Sequence, residues 1–438
     1  MDDEKAKGEK LKKIFFVSFG CASNLADSEI MKGLLAKEFE FVENLDESDL
    51  IIINTCVVKN PTEKRMIHKI KEFTKTGKPL IVAGCMPKTR RELIEKINPK
   101  ASMIGPDSIE KIVEVVKGTI EGKKLVFLKD LRKPKLCLPR IQKNPIIRII
   151  QIAEGCAWQK CSYCIVKFAR GRIFSYPLDL IKKEAEQAIK EGNKEIWLTS
   201  QDTSSYGFER GRLDLPLLLK EICSIEGKFF VRVGMMNPLF AKKILDDLIQ
   251  AYKNEKIFKF LHLPLQSGSN RILELMERGY SAEEFLKIVE KFKRAFPNLT
   301  LSTDVIVGFP SETEEDFEKT LEVVKKAEPD IINISKFGAR KGTKAAEMKQ
   351  VEEEAKEERV KKLLEIFKQI SLKNNEKWVG WKGEVLIDEV GKKGSFVGRN
   401  FSYKPIVLKT EEEIFGKFVE VEVKEAKEKF LVAILNKS

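Results

Sequence analysis

A regular alternation of short apolar runs with longer amphipathic stretches is the feature that most constrains how this chain of 438 residues can fold. Apolar runs of about five residues predict buried strands, and the stretches of about 10–15 residues between them predict helices that cover a parallel sheet. At roughly 150 residues per domain, the length is sufficient for about three domains. The sequence therefore predicts an α/β protein.

The alternation divides the chain into four segments. Residues 13–120 predict an N-terminal parallel-sheet α/β domain with four strands, KIFFVSFG, DLIIINT, PLIVAG and ASMIG. Residues 121–146 predict a surface linker, because this basic segment is interrupted by prolines. Residues 147–377 predict six βα units in a partial barrel that ends in a long helix. Residues 378–438 predict a small antiparallel β-barrel, which we expect to be separable, so that the chain truncated after Lys377 still folds.

Composition excludes several classes of protein. The chain has 80 Lys and Arg against 67 Asp and Glu, a net charge of +13, which favours a polyanionic partner such as nucleic acid. The alternative is a Lys/Glu-rich surface of the kind found in thermophile proteins. Only two histidines are present, which argues against His-based zinc hydrolases and Ser-His-Asp enzymes. The N-terminus MDDEKAKGEKLKK lacks an apolar signal segment, so we expect a cytoplasmic protein without membrane association.

The strongest local motif is GCAWQKCSYC at 155–164, which follows the first predicted barrel strand. It holds three cysteines, Cys156, Cys161 and Cys164, which we call the barrel triad. Thiolates are soft ligands that suit iron–sulfur clusters and zinc. Three cysteines on a four-iron cluster leave one iron open to a substrate or cofactor. The alternative is a structural zinc site, with Cys137 or Cys223 as the fourth ligand.

Three further cysteines occupy equivalent positions in the N-terminal domain. Cys21, Cys56 and Cys85, which we call the N-terminal triad, each follow the C-terminal end of a predicted parallel strand. These strand ends line one crevice in a doubly wound sheet, so the three thiols are expected to meet at a second metal centre. The alternative is that each is a small buried hydrophobic residue.

With these features the chain resembles the radical S-adenosylmethionine methylthiotransferases, and most of all the archaeal and eukaryotic tRNA N6-threonylcarbamoyladenosine methylthiotransferases. The resemblance covers residues 13–438. It is carried by NTCVVKNP (54–61), CSYCIVKFARGRIFSYP (161–177), LTSQDTSSYG (198–207), VRVGMMNP (231–238), FLHLPLQSGS (260–269), STDVIVGFPSET (302–313) and NISKFGARKGTKAA (333–346). One departure concerns the barrel triad, in which four residues separate Cys156 from Cys161, whereas the family has three.

The resemblance implies two [4Fe-4S] clusters and S-adenosyl-L-methionine as cofactors. The barrel triad would hold the cluster whose open iron binds S-adenosylmethionine, and the N-terminal triad would hold the cluster that delivers the methylated sulfur. The implied reaction inserts a methylthio group at C2 of N6-threonylcarbamoyladenosine at position 37 of a tRNA, next to the anticodon. No side chain beyond the cluster ligands is assigned a catalytic role.

Six residues are candidates for contacts with S-adenosylmethionine. Tyr163 lies between two ligands and is expected near the adenine, with a core aromatic as the alternative. Gln201 and Asp202 follow the second barrel strand, and Ser302 and Asp304 lie on the fifth, where barrels place functional residues. Gly308 is expected to let the backbone approach the adenine. His262 either faces the barrel mouth or is a core histidine.

The C-terminal domain resembles the TRAM-like RNA-binding modules of such enzymes. Its candidate contacts to RNA are basic and aromatic, because cations neutralise phosphates and aromatic rings stack on bases. They are Lys392, Lys393, Arg399, Tyr403 and Lys404. The alternative is a solvated charged surface.

The expected partners are a tRNA that carries N6-threonylcarbamoyladenosine and a low-potential electron donor such as a ferredoxin or flavodoxin, and we expect a monomer. Two other functions stay open from the sequence. One is a methylthiotransferase that acts on another tRNA adenosine or on a ribosomal protein. The other is a non-catalytic RNA-binding metalloprotein.

Overall fold

The computed structural model describes residues 11–58, 60–129, 131–392 and 394–436. It divides into two compact units. The first holds the described part of Met1–Lys143 together with Ile165–Gly171, and the second holds Asn144–Cys164 together with the described part of Arg172–Ser438.

The first unit is built on a six-stranded parallel sheet of order β2-β1-β3-β4-β5-β6. Its strands are β1 (Lys12–Ser18), β2 (Phe39–Val42), β3 (Leu50–Thr55), β4 (Leu80–Gly84), β5 (Ser102–Ile104) and β6 (Val126–Phe127). Its helices are α1 (Ala22–Leu35), α2 (Asn60–Lys75), α3 (Cys85–Thr89), α4 (Arg91–Ile97), α5 (Ile112–Ile120) and α6 (Val166–Arg170), with 3-10 turns at Leu45–Glu47 and Pro106–Lys111. The strands β3 and β4 are buried along their whole length, which explains the apolar runs LIII and LIVA with which they begin.

The four predicted strands are present, and β2 and β6 are additional. The short strand β6 lies inside the predicted linker 121–146 and pairs with β5. Further along the same segment, Lys135 is only 3% exposed and the Ile141 N–H donates to the carbonyl of Glu29 on α1. Residues 121–129 and 131–143 therefore belong to the first unit, held by pairing with β5, by burial of Lys135 and by the bond to Glu29. The segment Ile165–Gly171 also belongs to this unit, although the sequence predicts it within the barrel domain.

The second unit begins with a partial barrel of six parallel strands, as predicted, in two triplets ordered β11-β10-β7 and β12-β13-β14. The strands are β7 (Ile147–Gln151), β8 (Ala153–Glu154), β9 (Phe174–Ser175), β10 (Glu195–Thr199), β11 (Phe230–Val233), β12 (Phe260–His262), β13 (Thr300–Val307) and β14 (Ile331–Lys336), of which β8 and β9 form a small antiparallel pair. The helices are α7 (Leu178–Lys190), α8 (Leu215–Cys223), α9 (Pro238–Ala241), α10 (Leu245–Tyr252), α11 (Asn270–Leu275), α12 (Ala282–Ala295), α13 (Glu314–Ala327) and α14 (Glu353–Glu376).

Local sequence accounts for the sharp starts of the barrel helices. The motif SAEE places Ser281 at the N-cap of α12 and Glu284 three residues later, and the two side chains bond reciprocally to each other's backbone N–H groups. TEED does the same for α13 with Thr313 and Asp316. Such capping boxes satisfy amide groups that would otherwise have no partner at a helix start. Shorter 3-10 turns occur at Thr203–Ser205, Phe208–Arg210, Lys242–Ile244 and Lys344–Ala346.

The C-terminal segment is the predicted five-stranded barrel, closed in the order β15-β16-β17-β19-β18. Its strands are β15 (Lys382–Val390), β16 (Ser395–Arg399), β17 (Pro405–Lys409), β18 (Phe418–Ala426) and β19 (Leu431–Leu435). Alternate residues of these strands, such as Val385 and Ile387, fill a core of their own. Among the described residues, no helix is both long and apolar enough to span a membrane.

The C-terminal barrel is joined to the βα barrel by buried polar contacts. The Lys404 ammonium lies 2.6 Å from the Asp330 carboxylate and 2.8 Å from Oδ1 of Asn375 on α14. The Lys259 N–H donates to the carbonyl of Phe401 over 2.8 Å. Truncation after Lys377 would remove the ammonium partner of the Asp330 carboxylate, and the expectation that the truncated chain still folds stays a prediction.

The junction predicts a large effect of one lysine on stability. The side chains of Lys404 and Asp330 are 4% and 8% exposed, so Lys404→Ala leaves a nearly buried carboxylate without its cation. We expect the free energy of unfolding to fall by about 3–5 kcal/mol. The control is Lys392→Ala, since Lys392 is exposed and its removal should change stability by less than about 0.5 kcal/mol. Equal effects in urea-denaturation curves would contradict a stabilising role for the junction.

Candidate metal centres and cofactor site

The N-terminal triad meets at one edge of the sheet because β1, β3 and β4 are neighbours whose ends are level. Ser18 pairs with Asn54, and Thr55 pairs with Gly84. Cys56 and Cys85 follow β3 and β4 directly, and Cys21 is the N-cap residue of α1. Cys56 and Cys85 are each 5% exposed, and Cys21 is exposed. The thiols are near enough for the charge of each thiolate to affect the others.

Asn24, in the first turn of α1, connects all three cysteine segments. Its Nδ2 donates to the carbonyl of Phe19 over 3.0 Å and to the carbonyl of Thr55 over 2.8 Å. Its Oδ1 accepts a hydrogen bond from the Cys85 thiol over 3.7 Å. One buried amide therefore positions the loop before Cys21, the strand end before Cys56 and the Cys85 side chain.

Two glycines make room for this arrangement. At Gly84, with φ of +90°, a Cβ would lie 2.3 Å from Oδ1 of Asn54 and 2.5 Å from the carbonyl of Thr55. At Gly20, with φ of +118°, a Cβ would lie 2.8 Å from the amide of Asn24 and 2.9 Å from Cβ of Cys56. Only glycine combines these backbone conformations with such close approach.

Buried charges surround the N-terminal triad. Burial raises the pKa of the Cys56 thiol, and it raises the pKa of Cys85 to about 12, so both thiols are protonated at neutral pH unless a metal displaces the proton. The positive charge of Arg170 acts in the opposite direction and favours the thiolates. Arg170 lies on α6 and donates to Oδ1 of Asn24 over 2.7 Å and to Asp27 over 3.0 Å. Lys135 bonds to the other oxygen of Asp27 over 2.5 Å.

The barrel triad occupies a loop of turns that begins after the β8 strand. Gly155, with φ of +72°, reverses the chain before Cys156. The additional residue between Cys156 and Cys161 is accommodated by bonds inside the loop: Gln159 Nε2 donates to the carbonyl of Cys156 over 2.5 Å. The indole N–H of Trp158 donates to the carbonyl of Glu277 over 2.6 Å, which ties the longer loop to the turn after α11.

That turn, residues 275–280, holds the rest of the loop. Ser162 donates through its hydroxyl to the carbonyl of Leu275 over 2.7 Å and through its N–H to the carbonyl of Met276 over 3.1 Å. Arg278, only 7% exposed, donates through Nη1 to Sγ of Cys161 over 3.3 Å. At Gly279, with φ of +73°, a Cβ would lie 3.0 Å from the Trp158 ring. The turn therefore positions the cysteine loop from one side.

The donor set of each triad consists of three thiols. A single zinc ion binds thiolates at about 2.3 Å, so its ligand sulfurs stand about 4 Å apart. Within residues 11–58, 60–129, 131–392 and 394–436, no group of three His, Cys, Asp or Glu side chains is placed to hold a single metal ion. The thiols of each triad nevertheless affect one another electrostatically. The chemistry of three soft sulfur ligands in each triad fits an iron–sulfur cluster.

The barrel also presents unsatisfied acceptors at its strand ends, as a bound cofactor requires. Oε1 of Gln201, Oδ2 of Asp202 and Oε1 of Gln266 are buried and have no hydrogen-bond partner among the described residues. Buried polar atoms without a partner are costly, so they point to a donor-bearing ligand. The other Asp202 oxygen accepts from the Ser204 N–H and hydroxyl and from the Asn237 N–H. Burial raises the pKa of Asp202 to about 6.

The other predicted cofactor residues have structural partners. Ser302 is 3% exposed within β13. Asp304 lies 2.7 Å from Nε2 of His262, so this histidine has a hydrogen-bond partner. Tyr163 packs edge-on against Phe309 with ring centres 6.0 Å apart, inside an apolar cluster, as the core-aromatic alternative requires. Around Gly308 the space for a Cβ is filled by the Lys356 side chain at 2.3 Å, so this glycine accommodates α14, and its contact with the adenine stays a prediction.

Three of the residues predicted to contact RNA have partners within the protein. Lys404 forms the buried ion pair with Asp330, and Arg399 lies 3.4 Å from the buried Asp388. The Tyr403 ring packs between Phe258 and Phe260, at 4.8 and 5.0 Å. Lys404 is buried, so its assignment to RNA is corrected, whereas Arg399 and Tyr403 are half-buried and their assignment stays a prediction. Lys392 is exposed, and Lys393 lies outside the described residues.

Cys137 and Cys223 belong to neither triad. Cys223 is buried on α8, and burial raises its pKa to about 11, as expected of an unreactive core thiol. Cys137 lies in the segment that packs against the first unit and has φ of +56°.

Sequence reasoning missed Asn24, Arg170 and Arg278. For Arg170 the signal was its position, six residues beyond Cys164 and inside the motif that carries the family resemblance.

Three family models match the chain. The Radical SAM superfamily matches residues 150–324, Uncharacterized protein family UPF0004 matches 13–105, and the TRAM domain matches 376–435. Together with the barrel triad at the first strand of a partial barrel, these matches define a radical S-adenosylmethionine enzyme. Enzymes of this class use S-adenosylmethionine and iron–sulfur clusters.

Relatives over nearly the whole chain identify the family. A probable threonylcarbamoyladenosine tRNA methylthiotransferase of Archaeoglobus fulgidus is 42% identical, and the alignment covers 97% of this chain and 98% of the relative. The corresponding protein of Pyrococcus abyssi is 43% identical, with 96% and 98% covered. A threonylcarbamoyladenosine tRNA methylthiotransferase of Homo sapiens is 36% identical, with 96% and 73% covered. The chain belongs to the threonylcarbamoyladenosine tRNA methylthiotransferase family.

Solved structures agree on the fold. A radical S-adenosylmethionine methyltransferase from Kitasatospora setae, with cobalamin and a [4Fe-4S] cluster bound, superposes with a TM-score of 0.55 at 15% identity, covering 77% of each chain. A cobalamin-dependent S-adenosylmethionine radical enzyme superposes with a TM-score of 0.53 at 12% identity, covering 82% of this chain and 56% of that chain.

The glycine before Cys85 provides a test of the N-terminal site. We expect Gly84→Ala to destabilise the protein by about 2 kcal/mol or more and to lower iron uptake, because the new Cβ meets Asn54 and Thr55. The matched control is Gly77→Ala in the same unit, which has φ of +70° but no atom within 4 Å of the new Cβ. It should cost only the backbone strain of about 1–2 kcal/mol and leave iron uptake unchanged. Equal iron uptake by both variants would argue against a tightly constrained site.

Proposed function

We propose that this protein inserts a methylthio group at C2 of N6-threonylcarbamoyladenosine at position 37 of tRNA. The observation that carries the proposal is the presence of two cysteine triads, one at the ends of three neighbouring strands and one in the loop after β8, in a chain that aligns with threonylcarbamoyladenosine tRNA methylthiotransferases over nearly its full length. In this proposal the barrel triad holds the cluster that binds S-adenosylmethionine, and the N-terminal triad holds the cluster that supplies sulfur.

The chemistry of the bound cofactors explains why no acid–base pair is needed. S-adenosylmethionine with its cluster supplies one-electron chemistry, which can break an adenine C2–H bond that is not acidic enough for a side-chain base. The chain itself binds and orients the cofactor and the tRNA, and it excludes water. The unsatisfied oxygens of Gln201, Asp202 and Gln266 are suited to accept hydrogen bonds from the amino and hydroxyl groups of the cofactor. Asp202 also fixes the loops after β10 and β11 through its bonds to Ser204 and Asn237.

The substrate is assigned from the net charge of the chain and from its family. A net charge of +13 and a C-terminal TRAM domain favour RNA over a ribosomal protein as the substrate. Exposed lysines such as Lys392 remain available for phosphate contacts, and Lys393 keeps its assignment from the sequence. The acceptors at the strand ends and the two thiol sites favour an enzyme over a non-catalytic metalloprotein.

Several further properties complete the proposal. The reaction consumes electrons, so a ferredoxin or flavodoxin of low potential is the expected donor. The tRNA substrate is consistent with action in the cytoplasm, and one chain carries both cysteine triads, so a monomer suffices. The motif Lys59-Asn60-Pro61 separates the threonylcarbamoyladenosine branch from relatives that act on other adenosines. Its first residue, Lys59, lies outside the described residues.

The two triads have different roles, which single substitutions separate. We expect Cys161→Ala to abolish formation of 5′-deoxyadenosine, because it removes a ligand of the cluster that would bind S-adenosylmethionine. Cys56→Ala should retain cleavage and lose sulfur insertion. The measurements are 5′-deoxyadenosine by chromatography and the methylthiolated nucleoside by mass spectrometry of tRNA.

The matched control for both is Cys223→Ala, a buried cysteine that belongs to neither triad and should retain both activities. Loss of cleavage in Cys56→Ala with an intact barrel cluster would contradict the division of roles. The absence of the methylthiolated nucleoside from tRNA treated with the unaltered protein would contradict the substrate assignment.

A further inference from the structure

Each cysteine triad has a buried arginine among its neighbours. At the N-terminal triad, the Arg170 side chain is 2% exposed and donates over 2.7 Å to Oδ1 of Asn24, the atom that also accepts from the Cys85 thiol over 3.7 Å. At the barrel triad, Arg278 is 7% exposed and donates to Sγ of Cys161 over 3.3 Å. The guanidinium is always charged, and burial of such an ion costs several kcal/mol unless other groups stabilise it.

The surroundings hold each guanidinium in one orientation. Arg170 is fixed by Asn24 and by Asp27, whose second oxygen bonds to Lys135. Asn24 is also the amide that organises the three cysteine segments, so the cation and the thiols are positioned by the same residue. Arg278 is fixed by Tyr280, whose hydroxyl lies 3.4 Å from Nε and donates to the carbonyls of Pro264 and Leu265.

Hydrogen bonds to ligand sulfurs and nearby positive charge both stabilise the more negative, reduced state of an iron–sulfur cluster. We propose that Arg170 and Arg278 are dedicated positioning residues, one for each triad, which raise the reduction potential of the cluster bound there, Arg278 by donating to a ligand sulfur and Arg170 by placing its buried charge beside the Asn24 amide that bonds to the Cys85 thiol. The inference rests on the proposed function, since it concerns clusters at both triads. It adds that each cluster is tuned separately by its own cation, with the electron still supplied by the low-potential donor.

The test uses full-length chains that retain one triad each, reconstituted anaerobically with iron and sulfide. Replacing the barrel triad with alanine isolates the N-terminal cluster, and the reverse replacement isolates the barrel cluster. In each background, Arg170→Met, Arg278→Met and the charge-retaining Arg170→Lys and Arg278→Lys are titrated against redox mediators, with the reduced cluster followed by electron paramagnetic resonance.

We expect Arg170→Met to lower the ratio of reduced to oxidised N-terminal cluster at least tenfold at the same applied potential, equivalent to 59 mV for a one-electron couple. It should leave the barrel cluster unchanged. Arg278→Met should do the reverse, and each lysine variant should give a smaller shift, because it keeps the charge and loses the guanidinium geometry. The control is Arg148→Met, which removes a buried arginine that pairs with Glu184 and should move neither potential.

An unchanged potential in either methionine variant with full iron content would overturn the inference for that arginine. Shifts of equal size in the Arg148→Met control would overturn the inference for both arginines, since such shifts would reflect loss of stability alone. If a methionine variant takes up no iron, its lysine variant decides: uptake at a lowered potential supports the inference, whereas an unchanged potential or no uptake overturns it. Absence of iron from a single-triad parent with both arginines intact would instead contradict the proposed function.

Discussion

The level ends of β1, β3 and β4 are the constraint on which the N-terminal site depends. Cys21, Cys56 and Cys85 are far apart in sequence, and they meet only because parallel pairing places their strands side by side. Asn24 then fixes the distances with two backbone hydrogen bonds and one to a thiol. A slip of one residue in this register would turn the side chains of a strand to the opposite face of the sheet. The site is therefore a property of the whole sheet.

The barrel triad reaches a similar result by a different route. Its three cysteines are close in sequence and lie in one loop that follows a barrel strand. Hydrogen bonds to the turn at residues 275–280 hold this loop in place. This explains how the loop accepts four residues between Cys156 and Cys161. The extra length is fixed by Gln159 and Trp158 and does not displace Cys161 from Arg278.

Sequence patterns predicted what is local or periodic. The six barrel strands, the five strands of the C-terminal barrel and the cysteines at strand ends follow from apolar runs and their boundaries. The strand β6 was missed because two residues in a basic, proline-containing segment have no periodicity, and pairing with β5 alone makes them a strand. Lys404 was assigned to RNA because residue type does not reveal burial. Arg170 and Arg278 were missed because their contacts join segments that are distant in sequence.

The central claim is that the two triads are independent iron–sulfur sites, and iron and sulfide content tests it most directly. Anaerobic reconstitution of the unaltered protein should give about eight irons per chain, since a four-iron cluster at each triad accounts for four. Replacement of Cys156, Cys161 and Cys164 by alanine should leave about four, and so should replacement of Cys21, Cys56 and Cys85. Loss of all iron in either variant, or retention of about eight, would contradict the account.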